Sequence, residues 1–192
     1  MAAPEASNES QSEQTSIGAQ RARGERSSSR TDVHTISLFV ANKPGVLVRV
    51  ALVFSRRGYN IESLVVSPTV DGDFSRMTIT CSGDPATLEQ IIKQLHKLID
   101  VVHATDHTGH AAYETEIALV KLEAGLHERT EILQIAENFG AKVTDYGQDS
   151  MMLRVYGASD KLDAFIALLR PYGLRELVRS GKILMVRGLQ ET

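Results

Sequence analysis

Three stretches of the chain carry residue types that could bind a ligand. The first is Asn42-Lys43-Pro44-Gly45, between an alternating apolar run and a helical apolar run. The first N–H groups of a helix have no internal partner, and the helix dipole is positive there. A glycine lets backbone donors approach a ligand closely, and a small carboxylate suits such a site. Pro-Gly is equally the composition of a plain tight turn, and taken alone the turn is its commoner use. The second stretch is Arg56-Arg57-Gly58-Tyr59-Asn60. Asn60 stands at the start of a β-rich run, where its amide can both donate and accept, although Asn also simply favours turns. The third is His103, His107 and His110, spaced four and three apart as metal ligands on a helix are. Residues 101–105 read as a strand and Thr108-Gly109 as a linker, so that helical face is not expected. These histidines read as part of a solvated linker, and no metal site is predicted.

Other chemistry finds little support. The sequence has no G-x-x-x-x-G-K-[ST] loop, no G-x-G-x-x-G, no G-x-S-x-G elbow and no H-E-x-x-H pair. Cys81, the single cysteine, can form neither an intrachain disulfide nor a thiolate zinc site. A reducing, cytoplasmic location fits that composition. The net charge of −3 makes no electrostatic case for nucleic acid or an anionic membrane. Arg56-Arg57 is too short for a nucleic-acid patch, and the expected stacking aromatics are missing from the strands. No apolar run approaches the roughly 20 residues of a membrane span.

The elements that would position these residues follow from periodicity. Residues 1–31 hold seven Ser, four Glu and four Arg and almost no large apolar residue. Such a stretch cannot offset its ordering entropy, so a disordered tail is expected. It lacks the apolar core of a signal peptide, and its four Glu argue against a transit peptide. From residue 33 the pattern changes. A strand over 33–40 leads through the turn into a helix over 46–57, with Gly58 at its C′ position. Strands over 59–67 and 74–81 flank Asp71-Gly72-Asp73, a hairpin turn. Asp84-Pro85 supplies an N-cap and a first helical Pro for a helix with Leu88, Ile91, Ile92, Leu95 and Leu98 on one face, and 101–105 closes as a strand. The same β-α-β-β-α-β order recurs: a strand over 115–122, a helix over 127–139, strands over 142–146 and 151–156, a helix over 160–169, and strand material at 175–178 and 182–186. The fold class is therefore α+β, with two ferredoxin-like units whose antiparallel sheets carry helices on one face. The boundaries are a tail over 1–31, a first unit over 32–107 and a second over 112–192. One helix stands out: between Val46 and Phe54 only Arg49 is not apolar. Covering its own sheet needs one apolar stripe; the surplus fits either burial against another subunit or a thickly covered core helix.

N-K-P-G-V-L-x-R-V at 42–50 resembles the start of an ACT domain, the small-molecule sensor of amino-acid metabolism. F-S-R-R-G-Y-N-I-E-S-L at 54–64, S-R-M-T-I at 75–79, Q-L-x-K-L-I-D-V at 94–101, E-I-A-L-V-K at 116–121 and K-L-D-A-F at 161–165 narrow the likeness. From about residue 33 onward the chain resembles the regulatory (small) subunits of acetolactate synthase, also called acetohydroxyacid synthase. The resemblance implies a subunit that does no chemistry and binds no cofactor. It would bind and activate a catalytic subunit carrying thiamine diphosphate, Mg and FAD. It would also confer feedback inhibition of branched-chain amino-acid biosynthesis by valine or another branched-chain amino acid. It implies a homodimer through side-by-side ACT domains, with the effector at the interface. By the same resemblance, Asn42, Gly45, Val46 and Leu47 line one side of the effector site. Backbone N–H groups of 45–47 hold the carboxylate, and the Asn42 side chain fixes polar groups of the ligand. Asn60 and Ile61, from the neighbouring protomer, complete the site. Ser67 and Pro68 match a region linked to feedback sensitivity, although other members carry Ala at the Ser67 position. Lys43-Pro44 also departs from relatives with an acidic residue and Ser there. The second unit has Glu123-Ala124-Gly125-Leu126 in place of the N-x-P-G turn, so no second effector site of this kind is expected there; dimerisation or catalytic-subunit contact is its implied role. Two other readings compete: a stand-alone ACT-type sensor of another enzyme, and an enzyme built on a ferredoxin-like scaffold.

Overall fold

A computed structural model describes residues 32–109, 112–189 and 191–192. The expected tail over 1–31 lies outside the described residues, as does His110.

In the first half, alternation along β1 (Asp32–Ala41) sends Ile36, Leu38 and Val40 to one face and Thr35, Ser37 and Phe39 to the other. Then follow α1 (Val46–Arg56), β2 (Asn60–Pro68), β3 (Phe74–Gly83), α2 (Pro85–Leu95) and β4 (Val101–Asp106). The strands are antiparallel in the order β2-β3-β1-β4, which leaves β2 and β4 at the edges. The α2 start is capped as its sequence predicts: Asp84 accepts a 2.9 Å hydrogen bond from the Thr87 N–H. Val46, Val50 and Phe54 of α1 and Leu88, Ile91 and Leu95 of α2 are buried with Ile36, Leu38, Ile79 and Cys81 in one apolar core.

The second half contains β5 (Ala112–Glu123), α3 (Arg129–Asn138), β6 (Lys142–Tyr146), β7 (Ser150–Gly157), α4 (Ser159–Leu169), a 3₁₀ turn at Arg170–Tyr172, β8 (Leu174–Arg179) and β9 (Ile183–Val186). Its sheet has the order β6-β7-β5-β8 and its own core around Val120, Leu122, Leu153, Leu162 and Phe165. Both halves thus have the expected antiparallel sheet with helices. Glu116 is buried, and Arg179 closes on it with Nε at 2.9 Å and Nη2 at 2.6 Å, while Arg179 Nη1 reaches Asp163 at 2.5 Å. Ser159 Oγ also donates to Glu116.

Several details differ from the periodicity. β5 begins at Ala112 because its first residues pair with β9 (Ala112↔Val186 to Thr115↔Ile183), a partner far along the chain that leaves no local mark. β8 pairs with the other end of β5, from Ala118↔Arg179 to Leu122↔Leu174. At the break, the Ser180 N–H donates to the Ile117 carbonyl at 2.9 Å and the Ile117 N–H to Ser180 Oγ at 3.1 Å. α3 starts two residues later than its pattern suggested, at a buried Arg129. His107 corrects the solvated-linker reading: it is buried, 2.7 Å from Ser37 Oγ in a hydrogen bond. Among the described residues, no helix is long and apolar enough to cross a membrane.

Candidate functional site

The turn after β1 is pinned to the hairpin between β2 and β3. The Asn42 N–H donates to the Asp73 carbonyl and Asn42 Nδ2 to the Gly72 carbonyl, each at 2.8 Å. The Asn42 side chain thereby holds the turn in place and keeps its Oδ1 for other partners. The Lys43 N–H folds back on the Ala41 carbonyl at 3.0 Å. Gly45 then takes φ 82° and ψ −7° as the N-cap of α1. This left-handed conformation costs a side-chain-bearing residue about 1–2 kcal/mol, which is the local reason for a glycine here.

The start of α1 is electrostatically bare. No side chain caps it, and its first turn holds no acidic residue. The Leu47 and Val48 N–H groups precede the first intrahelical bond, which runs from the Arg49 N–H to the Gly45 carbonyl at 3.2 Å. Free donors and an uncompensated dipole make this end attractive to an anion. Arg49 adds a feature that sequence reasoning passed over, although it is the lone polar residue of an apolar run. A Cβ on Gly45 would lie 3.3 Å from Arg49 Nη1, and Arg49 Nη2 pairs with the mostly buried Asp100 at 2.6 Å.

The remaining residues fall in two groups. Ala41 pairs with Phe74, and Pro68 with Ser75, so Ser67 and Pro68 stand at the same end of the sheet as Asn42 and Gly45. Asn60 pairs with Ser82, which also pairs with Val33, so it stands at the opposite end. Eight residues of strand at roughly 3.3 Å each separate the ends by about 26 Å. One protomer therefore does not bring Asn60 and Ile61 to its own Gly45. At its own end, Asn60 Nδ2 donates to Glu62 Oε1 at 3.2 Å, and Ser82 Oγ donates to the same oxygen at 2.7 Å. The Ser82 bond, then that of Asn60, holds the Glu62 carboxyl below the usual carboxylate range. Ile61 is half-buried against the core.

The broad apolar character of α1 is not used up inside the protomer. Val46, Val50 and Phe54 face the core, whereas Val48 is 61% exposed and Leu52 45%. Leu47 is exposed on the same helix, and on β2, the edge strand that α1 packs against, so is Val66. A thickly covered core helix is thereby excluded for this chain as it stands.

The corresponding turn of the second half is built differently. Arg129 is buried there, with Nε donating to the Ala124 carbonyl at 3.2 Å and Nη2 to the Gly147 carbonyl at 2.7 Å and to that of Gln148. Its guanidinium lies 4.5 Å from the Tyr146 ring centroid. A side chain of the protein itself links turn and hairpin where Asn42 does so in the first half.

Comparison with known proteins bears on both halves of the chain. Residues 36–103 match the family described as AHAS small subunit-like ACT domain, and 115–188 that described as small subunit of acetolactate synthase. The acetolactate synthase small subunit of Mycolicibacterium smegmatis is 43% identical over 161 residues, covering 84% of this chain and 95% of the relative. That of Mycobacterium bovis is 43% identical over 155 residues, covering 81% and 92%. The crystal structure of the acetolactate synthase small subunit from Thermotoga maritima superposes with a TM-score of 0.74 at 37% identity, covering 82% of this chain and 98% of that one. On this extent and identity, the chain belongs to the family of acetolactate synthase small subunits, the regulatory subunits of that enzyme.

Proposed function

We propose that this chain binds and activates the thiamine-diphosphate-dependent catalytic subunit of acetolactate synthase, carrying no catalytic group of its own, and confers feedback inhibition by valine or another branched-chain amino acid. Two protomers pair antiparallel along the β2 edge and the outer face of α1, burying Leu47, Val48, Leu52 and Val66. A two-fold axis near the middle of β2 sets the Gly45 end of one protomer beside the Asn60 end of the other. The effector carboxylate then meets the N–H groups of 45–47, and Asn60 and Ile61 from the second protomer complete the site around its amino group and aliphatic side chain. Asn42 positions the turn, and Ser67 and Pro68 border it. In the second half, Arg129 occupies the matching turn, which supports one effector site per protomer.

The observation that carries this reading is the left-handed, uncapped and acid-free start of α1 beside an exposed apolar edge. Inhibition follows by linkage: an effector that bridges two protomers favours one arrangement of the dimer, and that arrangement supports the catalytic subunit less well. The test is reconstitution with the catalytic subunit, assaying acetolactate formation with and without valine, leucine and isoleucine. The isolated chain should form none, the mixture should exceed the catalytic subunit alone, and at least one of the three should lower the rate. A mixture no more active than the catalytic subunit alone would overturn the activating role.

A further inference from the structure

On the polar face of the first sheet Thr35, Ser37, Thr78 and Thr80 are buried, Ser37 against His107 and the row through Thr35 beneath residues of the second half. Thr35, Thr80 and Ser63 are cross-strand neighbours on β1, β3 and β2 and form a row on that face. Above one end of the row sits Gly181, in the break between β8 and β9. A Cβ there would lie 2.7 Å from Ser63 Cβ and 3.4 Å from Val65 Cγ2. With φ 82°, this position is one for glycine by both backbone and space. Above the other end, Lys182 Nζ donates to Thr35 Oγ1 at 3.3 Å and to Glu114 on β5 at 2.7 Å. Between them Thr80 Oγ1 is buried without a hydrogen-bond partner.

The contact is made at separate points, for Arg76 on β3 also donates to the Thr192 carbonyl. Among the described residues, no helix or strand of one half packs along an element of the other. Beside the corner, His107, Thr108, Tyr113, Glu114 and Arg187 line an open cleft. The corner is nonetheless stiffly tied to the second sheet, because Ser180 bonds Ile117 through both its N–H and its Oγ. A rigid corner on a partly open seam, bearing on an edge strand, transmits displacement in place of absorbing it.

We infer that the Ser180-Gly181-Lys182 corner is a link by which changes at the β2 edge reach the second half of the chain. This rests on the effector reading in placing the signal at β2, but the contact itself can be tested without an effector. The experiment is hydrogen exchange on the full chain. In the effector-free arm, Ser63→Val pushes against Gly181, and exchange of the Ile117 and Ser180 amides should accelerate about fivefold or more. A change confined to β2 and β3 would overturn the link. In the second arm, L-valine should slow exchange over 60–68 and also over 178–186 in the wild-type chain. In Gly181→Ala the first protection should persist and the second fall to under about a third. Undiminished protection of 178–186 in that variant also overturns the link. If none of valine, leucine and isoleucine protects either segment of the wild type, the effector reading is refuted, and Ser63→Val would still decide the link.

Discussion

Replacing Gly45 by Asp separates two effects of different size. The backbone at φ 82° disfavours any side chain, and the new Cβ would stand 3.3 Å from Arg49 Nη1, the movable end of a long side chain. Steric relief is easy there, so the fold should lose only about 1–2 kcal/mol, the left-handed cost. The effector term is larger. A fixed carboxylate at the start of α1 competes for the N–H groups of 45–47 and repels a ligand carboxylate from the positive helix end. Charge-assisted hydrogen bonds contribute about 1.5–3 kcal/mol each, so losing two removes at least about 3 kcal/mol, or about 150-fold in Kd. Gly45→Ala carries the backbone strain without the charge and should weaken binding less than about tenfold. Calorimetric titration with L-valine, alongside thermal melts of all three proteins, measures both terms. A folded Gly45→Asp variant that binds valine within about threefold of wild type would refute the placement of the carboxylate.

Three further outcomes follow from the same structure. Leu52→Arg puts a charge on the exposed apolar face of α1 and should turn a dimer into monomer in sedimentation velocity at micromolar concentration; an unchanged dimer would mean that another surface pairs. Arg179→Ala leaves the Glu116 carboxylate buried without its cation and should cost about 3–5 kcal/mol in denaturant unfolding, whereas a loss below about 1 kcal/mol would mean that the pair is dispensable. Burial, then the charges of Asp106 and Glu62, pushes the Cys81 thiol from 9.0 up to about 12. A thiol reagent at pH 8 should therefore label Cys81 only after unfolding. Because its folded pKa is raised, the stability it contributes is complete below the unfolded value and declines as pH rises from about 9 toward 12, measurable as a falling unfolding free energy.

Local signals made much of the first half legible. The turn at 42–45, the Asp84 cap and the alternation of Met77 and Ile79 with Thr78 and Thr80 each announce an element through chemistry contained in a few residues. Longer-range partners do not announce themselves. Nothing in the strand pattern marks Thr78 and Thr80 as buried, yet both are; the segment around Gly181 comes from about a hundred residues away. Residues 112–114 became strand only through β9, and nothing near Arg129 or Glu116 marks them as buried charges. The candidate site divides the same way. Gly45 and its turn could be read from spacing and chemistry, and the exposure of Leu52 required a fold that shows which face of α1 the core leaves uncovered. That Asn60 lies about 26 Å from the turn of its own chain follows from strand order, which periodicity does not encode.

An effector held between two protomers should bind to mixed dimers in a way that no site within one protomer can reproduce. Gly45→Asp and Asn60→Ala each damage both sites of a homodimer, from opposite sides. When the two variants are unfolded, mixed and refolded together, half of the dimers are hybrids, and each hybrid has one site with both Gly45 and Asn60 intact. Valine-binding capacity at wild-type affinity should then recover to about a quarter of the wild-type value, as two-fold symmetry requires. No recovery on mixing, with hybrids shown to form, would contradict a shared site.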